Sequence, residues 1–485
     1  MLLSALSTLH LIGTFLLVVY AVGMVVLLLA YWRHRHDQAP LPAITSWPTV
    51  AVQLPVYNER HVIAPLLEAV ARLDYPRDRL VVQVLDDSTD ETTRLIAHHV
   101  RRLRLRGLNI NHLHRTERTG YKAGALAEGL AQLDTELVAV FDADFLPAPD
   151  FLRRTVPYLA ADPAVGMVQA RWGHLNPFDN ALTFSQTLAL DGHFVVEQTA
   201  RSRAGWLLNF SGSGGVWRTA CIREAGGWRA ATLTEDLDLS YRAQLAGWRF
   251  LYLPDVVVPG QLPPQMAAYK LQQARWAQGC TQTLVATLRP LWRARLTLDQ
   301  KVMALLHLCQ YLPQPLLLLL LLLTPPLILT HELHHLPLGP LSLAGLGPPL
   351  ILAVSQRALY PDWRQRLLVF PLLMLIGIGI TWNNTRAVLR GLFAPGHMVE
   401  FERTPKFTRD WPESAYALRV DHQVWGEILL ALYALGGVIV AQQHDPTLTI
   451  YLLLCALGFG LVATWTLHDS WLITHRRAQQ KGVHS

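Results

Sequence analysis

Two kinds of apolar run alternate along this chain. Long, nearly uncharged ones cover 11–32, 303–330, 341–355, 367–389, 424–440 and 448–472, and about twenty such residues are what a helix needs to cross a hydrocarbon core of roughly 30 Å. Between 47 and 289 the runs are much shorter. They predict strands over 50–54, 80–85, 110–113 and 137–141, and helical spacing between them predicts helices over 63–73, 91–103 and 122–133. Strand and helix in alternation predict a mostly parallel sheet with right-handed crossovers, in which ligands gather at the carboxyl ends of the strands. The chain therefore reads as an α/β domain inserted in an α-helical multi-pass membrane domain.

Polar residues collect at those strand ends. The first strand runs into Pro55, Tyr57, Asn58 and Glu59, the second ends at Asp86, Asp87 and Ser88, and the fourth ends at Asp142 and Asp144. At period two the last pair shares a face, and two carboxylates there make an oxygen-only site suited to Mg²⁺ or Mn²⁺. A lone Asp-x-Asp is more often the start of a solvated turn, here continued by Pro147 and Pro149. Three acidic ends together offer what a nucleotide diphosphate needs: acceptors for base and ribose, and a metal for the phosphates. Lys122, just after Gly120, is placed either to reach a diphosphate or to be a plain surface lysine.

Farther along, 209–217 (NFSGSGGVW) has too many glycines and serines for the interior of an element, so it reads as an ordinary turn or as a tight loop lying close to a ligand. Thr234-Glu235-Asp236 opens an amphipathic helix that Gly247 stops. Thr234 is placed to cap it and the helix dipole favours an ionised carboxylate at Asp236, although a capping box alone would explain the acids. Gln272, Arg275 and Trp276 fall on one helical face, where a guanidinium and an indole suit a phosphate and a sugar.

Charge adds orientation. The net charge is only +6, and basic residues flank the apolar segments (Arg33, Arg35; Arg364, Arg366; Arg476, Arg477, Lys481) as in loops that face an anionic cytoplasmic leaflet. No interleaving of basic and aromatic residues speaks for a nucleic-acid partner. Nothing basic precedes 11–32 while Arg33 and Arg35 follow it, so it reads as a span with an outside amino terminus, not a cleaved leader, and the α/β domain as cytoplasmic. Cys221, Cys280, Cys309 and Cys455 are widely spaced without a CxxC, which predicts neither a disulfide framework nor a thiolate metal site.

PVYNE, DDS, KAG, DAD, GSGG, TED and QQARW, in this order, resemble the membrane-bound family 2 glycosyltransferases: the group of cellulose synthase, hyaluronan synthase and the plant mannan synthase-like enzymes. The resemblance covers most of the chain and implies a GT-A (Rossmann-like) catalytic domain. It implies that Asp86 and Asp87 contact the nucleoside, with Pro55, Tyr57, Glu59 and Lys122 around the donor, and that Asp142 and Asp144 hold the metal and diphosphate. It implies that Asp236 is the base, that Gln272 and Arg275 bind the leaving diphosphate, and that Trp276 stacks on the acceptor sugar with Glu235 and Gly214 beside it. A carboxylate that deprotonates the acceptor opposite the departing nucleotide gives single displacement with inversion. The expected activity is transfer of a hexose from a UDP-glucose or GDP-mannose type donor to a growing β-glycan at the plasma (inner) membrane, among membrane lipids and with possible accessory secretion subunits. The alternative acceptor is a lipid, such as diacylglycerol, glycosylated once. A transporter would place ionisable residues inside its spans, and a nucleotide-sugar sensor would need neither Asp236 nor Trp276.

The family also has a cytoplasmic loop of form Phe-x-x-Thr-x-Lys that closes over the nucleotide. Phe401-Glu402-Arg403-Thr404-Pro405-Lys406 matches it, implying Thr404 and Lys406 as donor contacts; Arg403 stands where relatives often have valine. For that loop to be cytoplasmic, 367–389, polar at Trp382, Asn383, Asn384 and Arg386, must lie along the interface instead of crossing. The expected organisation is an N-terminal transmembrane anchor (1–35), the glycosyltransferase domain (47–290), an interface region with two transmembrane helices (291–358), an interfacial helix (364–392), the gating-type loop (398–410), two transmembrane helices (423–473) and a cytoplasmic tail (474–485). His331-Glu332-Leu333-His334-His335 fits the HExxH zinc-protease pattern, but it sits in a short loop with Pro337 close behind, not on a helix that presents two ligands together.

Overall fold

The computed structural model describes residues 2–37, 40–335, 345–393, 403–406, 411–414, 416–418 and 421–483. Phe401 and Glu402 of the expected loop, and Pro337, lie outside the described residues.

Among the described residues, seven strands form one sheet in the order β3-β2-β1-β4-β6-β5-β7: β1 (Val50–Val56), β2 (Leu80–Asp86), β3 (Ile110–His114), β4 (Leu137–Val140), β5 (Val165–His174), β6 (Gly215–Arg218) and β7 (Arg249–Gly260). The first four run parallel and are joined in sequence by helical crossovers. β6 then runs antiparallel between β4 and β5, and β5 pairs parallel with β7, so the sheet is mixed. The glycine-rich stretch is accordingly a loop only as far as Gly214; its last residues begin β6.

Helices cover both faces, which is why β1 is buried along its whole length. Alternate residues of β4 point to opposite layers. Leu137 and Ala139 join the cluster formed with Ile63–Ala71, Thr92–Leu105 and Phe151–Ala161, while Val138 and Val140 join the one formed with Tyr121–Ala131, Thr219–Glu224 and Glu235–Leu245. Two glutamines sit inside this sheet without a polar deficit at their amide nitrogens, because Gln53 donates to Gln83 (3.0 Å) and Gln83 donates to the Gly129 carbonyl (3.1 Å).

Helix Met266–Arg293 joins the sheet domain to the apolar helices. The Met266 amide donates to Asp469 (2.8 Å) on Thr449–Val483, and buried Lys270 pairs with Asp421 (3.1 Å) and with Glu427 of Val424–His444. Removing one partner of such a buried pair strands a charge, at a cost of about 3–5 kcal/mol. Among the described residues, three helices are long and apolar enough to cross a membrane: Ser4–His34, Val424–His444 and Pro446–Arg476. Among the same residues, two bent pairs are long and apolar enough when taken together, Leu298–Leu308 with Pro313–Leu329 (63°) and Trp363–Gly379 with Thr381–Phe393 (46°). Gly347–Leu359 is a thirteen-residue helix, about 20 Å long. The HExxH residues form a 3₁₀ turn, Glu332–His335, entered through His331 at φ 57°, and not the α-helix on which that pattern rests.

Candidate active site

The strand ends and the helix Met266–Arg293 enclose one cavity, lined by Pro55, Tyr57, Glu59, Asp87, Lys122, Asp142, Asp144, Glu235, Asp236, Gln272, Arg275, Trp276, Thr404 and Lys406. Most of the residues singled out in the sequence therefore converge. Asp142 and Asp144 do so from a turn, because β4 stops at Val140: the Asp142 amide donates to Ser213 Oγ (3.0 Å) and the Phe145 amide to the Asp142 carbonyl (3.0 Å). Their shared placement is a property of that turn, not of strand alternation.

Each of the two carboxylates faces a lysine. Lys122 Nζ lies 2.6 Å from Asp142 and 3.4 Å from Glu235, and donates to the Gly212 carbonyl at 2.9 Å. Burial pulls its ammonium down, but Asp142, Glu235 and Asp236 together push it well above the ordinary lysine value. Lys122 is thus an interior counter-charge, fixed by the carboxylates it faces. Lys406 Nζ lies 2.8 Å from Asp144 and 3.1 Å from the Gln261 carbonyl. Thr404 is buried beside it, and Arg403 pairs with Glu59 at 3.3 Å. Desolvation lifts Glu59 to about 8 in spite of Arg403.

Asp236 stands in the first turn of Glu235–Leu245, where the Leu237 amide donates to its Oδ1 at 2.8 Å. Desolvation and neighbouring Glu235 push it up to about 7, the range in which a carboxylate can take a proton near neutrality. Thr234 does not cap this helix: its hydroxyl lies 3.5 Å from that of Thr283 on Met266–Arg293. Gly279 makes that approach possible, since a Cβ there would come within 2.6 Å of the Thr234 side chain.

Two residues fall elsewhere than expected. Gly214 is tied into the sheet, its amide donating to Val140 and its carbonyl accepting from Ala170, and it does not line the cavity. The glycine that does is Gly212, at φ 84°, where a Cβ would stand 2.8 Å from Asp236 Oδ2. Asp86, wholly buried at the end of β2, turns its carboxylate to His112 and His114 of β3 and is not part of the lining. Asp87 does line it, held in a two-bond fork by Arg115 (2.7 and 2.6 Å). The sequence reading missed Arg118, whose guanidinium lies 3.4 Å from the centre of the Tyr57 ring, and Arg403 as the partner of Glu59. The lone signal for Arg118 was its place three residues before Tyr121-Lys122.

Beyond Asp236 and Trp276 a second cavity continues among Trp172, Gln186, His193, Phe194, Glu197, Asn209, Tyr269, Gln273 and Tyr311. Flat aromatic faces and amide groups are what a sugar's two faces and its hydroxyls require.

A mixed sheet with paired aspartates after its fourth strand and an acidic helix start across the cavity defines the GT-A architecture. Residues 48–279 match the family described as "Glycosyltransferase like family 2". The chain is 43% identical over 274 residues to glucomannan 4-beta-mannosyltransferase 2 of Arabidopsis thaliana, covering 54% of this chain and 51% of that one. It is 45% identical over 247 residues to glucomannan 4-beta-mannosyltransferase 1 of Oryza sativa subsp. japonica, covering 50% and 47%. The match thus spans about half the length of these relatives. Among solved structures, the mannosyltransferase PcManGT from Pyrobaculum calidifontis in complex with GDP-Man and Mn²⁺ aligns with a TM-score of 0.53 at 25% identity, covering 80% of this chain and 99% of that one.

Proposed function

We propose that this chain is an inverting, metal-dependent mannosyltransferase that extends a β-glycan at the membrane from GDP-mannose. The observation that carries the reading is the meeting of Asp142, Asp144, Asp236, Gln272, Arg275 and Trp276 in one cavity that opens into a second, aromatic one. The naming of two relatives as glucomannan mannosyltransferases and the GDP-Man complex of the structural neighbour favour mannose and guanosine.

The residues divide the work. Asp142 and Asp144, with hard oxygen donors, suit Mg²⁺ or Mn²⁺; such an ion would supply Lewis-acid neutralisation of the departing diphosphate. Arg275 adds a guanidinium on the same side, and Tyr57 with Arg118 and Asp87 borders the end of the cavity where a nucleoside fits. Trp276 offers its face to the terminal sugar of the acceptor. Asp236 takes the proton of the attacking hydroxyl from the side opposite the leaving group, so the new bond is β where the donor bond was α.

Contacts at the two ends of the first helix support the expected membrane arrangement. Ser7, near its start, donates to Glu332 (3.3 Å), whereas at its end the His34 carbonyl accepts from Arg203 of the sheet domain (3.1 Å); farther on, Gln356 donates to Asp191 of that domain (2.9 Å). These contacts support a chain that leaves the catalytic side through 298–329 and has returned to it by 356, with Lys406 at Asp144 still on that side. This supports an interfacial role for 364–392, which packs on Met266–Arg293 through Asn383 and the Lys270 carbonyl (2.9 Å). Impermeant labelling of a cysteine at position 406 in intact cells contradicts that arrangement.

Purified protein offered GDP-mannose, UDP-glucose and UDP-galactose separately with Mn²⁺ tests the activity. The expected product is a polymer from GDP-mannose that β-mannanase digests. A single-sugar lipid as the only product refutes glycan extension and leaves the lipid acceptor.

A further inference from the structure

Asp86 presents a problem of charge. Its carboxylate is wholly buried, and among the described residues its only ionisable partners are two imidazoles. His112 Nε2 lies 2.9 Å and His114 Nδ1 3.2 Å from the same oxygen, Oδ2, while Oδ1 accepts from the Ser88 amide at 2.9 Å. The fold fixes this grouping. β3 pairs parallel with β2 so that His114 stands opposite Asp86, and residues two apart on a strand share a face, which brings His112 to the same side. β3 is an edge strand, and His114 is 38% exposed while Asp86 is covered.

The dimensions match one class of ligand. The donor atoms of all three side chains lie within 4.8 Å of one another. Around a tetrahedral ion with bonds of about 2.0–2.1 Å, neighbouring ligand atoms stand roughly 3.3 Å apart, so the two measured edges need to open by only a few tenths of an ångström. Two imidazole nitrogens with one carboxylate select Zn²⁺ and its neighbours over Mg²⁺, which prefers oxygen, and the exposed flank at His114 leaves a vertex for water.

We propose that Asp86, His112 and His114 form a binding site for a zinc-class divalent ion, separate from the aspartate pair at Asp142 and Asp144. The site sits directly behind the nucleoside end of the cavity. Arg115 follows His114 in the chain and holds Asp87, the lining residue that follows Asp86. An ion that ties the ends of β2 and β3 together fixes this fork, which, given the donor site proposed above, tightens nucleotide binding.

Metal uptake by the full-length protein in detergent tests the site without calling on glycosyl transfer. Protein stripped with chelator and dialysed against micromolar Zn²⁺ in excess Mg²⁺ is expected to retain one zinc that His112→Gln/His114→Gln loses, and that Asp142→Asn/Asp144→Asn keeps. Replacing the exposed His114 alone, which leaves Asp86 and His112 paired, weakens binding by more than about 100-fold, since even outer-shell changes cost 10–100-fold. Co²⁺ in place of zinc gives the visible bands of a four-coordinate site in the wild type and not in the double histidine variant. No stoichiometric zinc, or equal zinc in wild type and double variant, overturns the proposal. Zinc lost instead on replacing His331, His334 and His335 also overturns it. A failure of mannosyl transfer with zinc uptake intact refutes the proposed activity and leaves the site standing.

Discussion

Replacing Asp236 with asparagine separates its chemical role from its cost to the fold. The carboxylate is held at about 7, against 3.8 for an ordinary aspartate, by desolvation and by Glu235. That upward move of roughly three pH units, at 1.36 kcal/mol each, is a penalty of roughly 4 kcal/mol as an upper figure. The sign is fixed by linkage: below the unfolded-state value both states are protonated and no penalty exists, and it grows as pH rises to about 7. Asp236→Asn removes the charge without changing the volume, so the variant is expected to unfold at a higher temperature than wild type at pH 8 and at nearly the same temperature at pH 4. Turnover moves the other way, falling by about 10²–10⁴-fold, the usual worth of a general base, while donor affinity is kept. In the wild type, turnover climbs with pH through about 7 as Asp236 ionises. Thermal unfolding of detergent-solubilised protein across pH and initial rates with labelled donor supply both measurements. A variant with more than about a tenth of wild-type turnover removes Asp236 as the base, and one that is less stable at pH 8 refutes the electrostatic account of its environment.

Three further outcomes follow from the same cavity. Lys406→Met frees Asp144 from the ammonium 2.8 Å away, so Mn²⁺ affinity measured by titration should rise by about tenfold, equivalent to about 1.4 kcal/mol, while turnover falls because the loop loses its anchor. Unchanged Mn²⁺ affinity contradicts competition for that carboxylate. Gly212→Ala places a Cβ 2.8 Å from Asp236 Oδ2 at a φ of 84° and should cost about 1 kcal/mol or more in stability and most of the turnover with little change in donor affinity; Gly205→Ala, at φ 73° with open space around it, should show the backbone cost alone. Trp276→Ala removes the platform between the two cavities, so products resolved on gels should be shorter or absent, and wild-type lengths with normal yield contradict its acceptor role.

How much of this was legible beforehand depends on what fixes each residue. The first four strands could be read because each is a short apolar run flanked by a helical pattern, and parallel order follows from alternation alone. β6 could not be: Gly215, Val216, Trp217 and Arg218 have no period-two pattern, and their pairing with β4 and β5 comes from tertiary contact across the sheet. The motif residues were found because their types state their chemistry, whether carboxylates at strand ends, a guanidinium or an indole. Their partners were not, for physical reasons. Lys122 finds its counter-charges at Asp142 and Glu235, and Lys406 finds Asp144 across more than two hundred residues of chain, so local sequence carries no trace of either pair.

Asp86 and Gly214 mark the limit more sharply. Asp86 and Asp87 are adjacent on a strand end, and period two sends adjacent side chains to opposite sides. Only one of the two can enter the cavity, and the structure gives that place to Asp87 while Asp86 meets the imidazoles of β3. Within the glycine loop the same choice falls between Gly212 and Gly214, which share positive φ. Gly214 takes the sheet hydrogen bonds, leaving Gly212 to make room for Asp236 and to accept from Lys122. In both cases residue type names a pair of candidates, and backbone register decides which one reaches the chemistry.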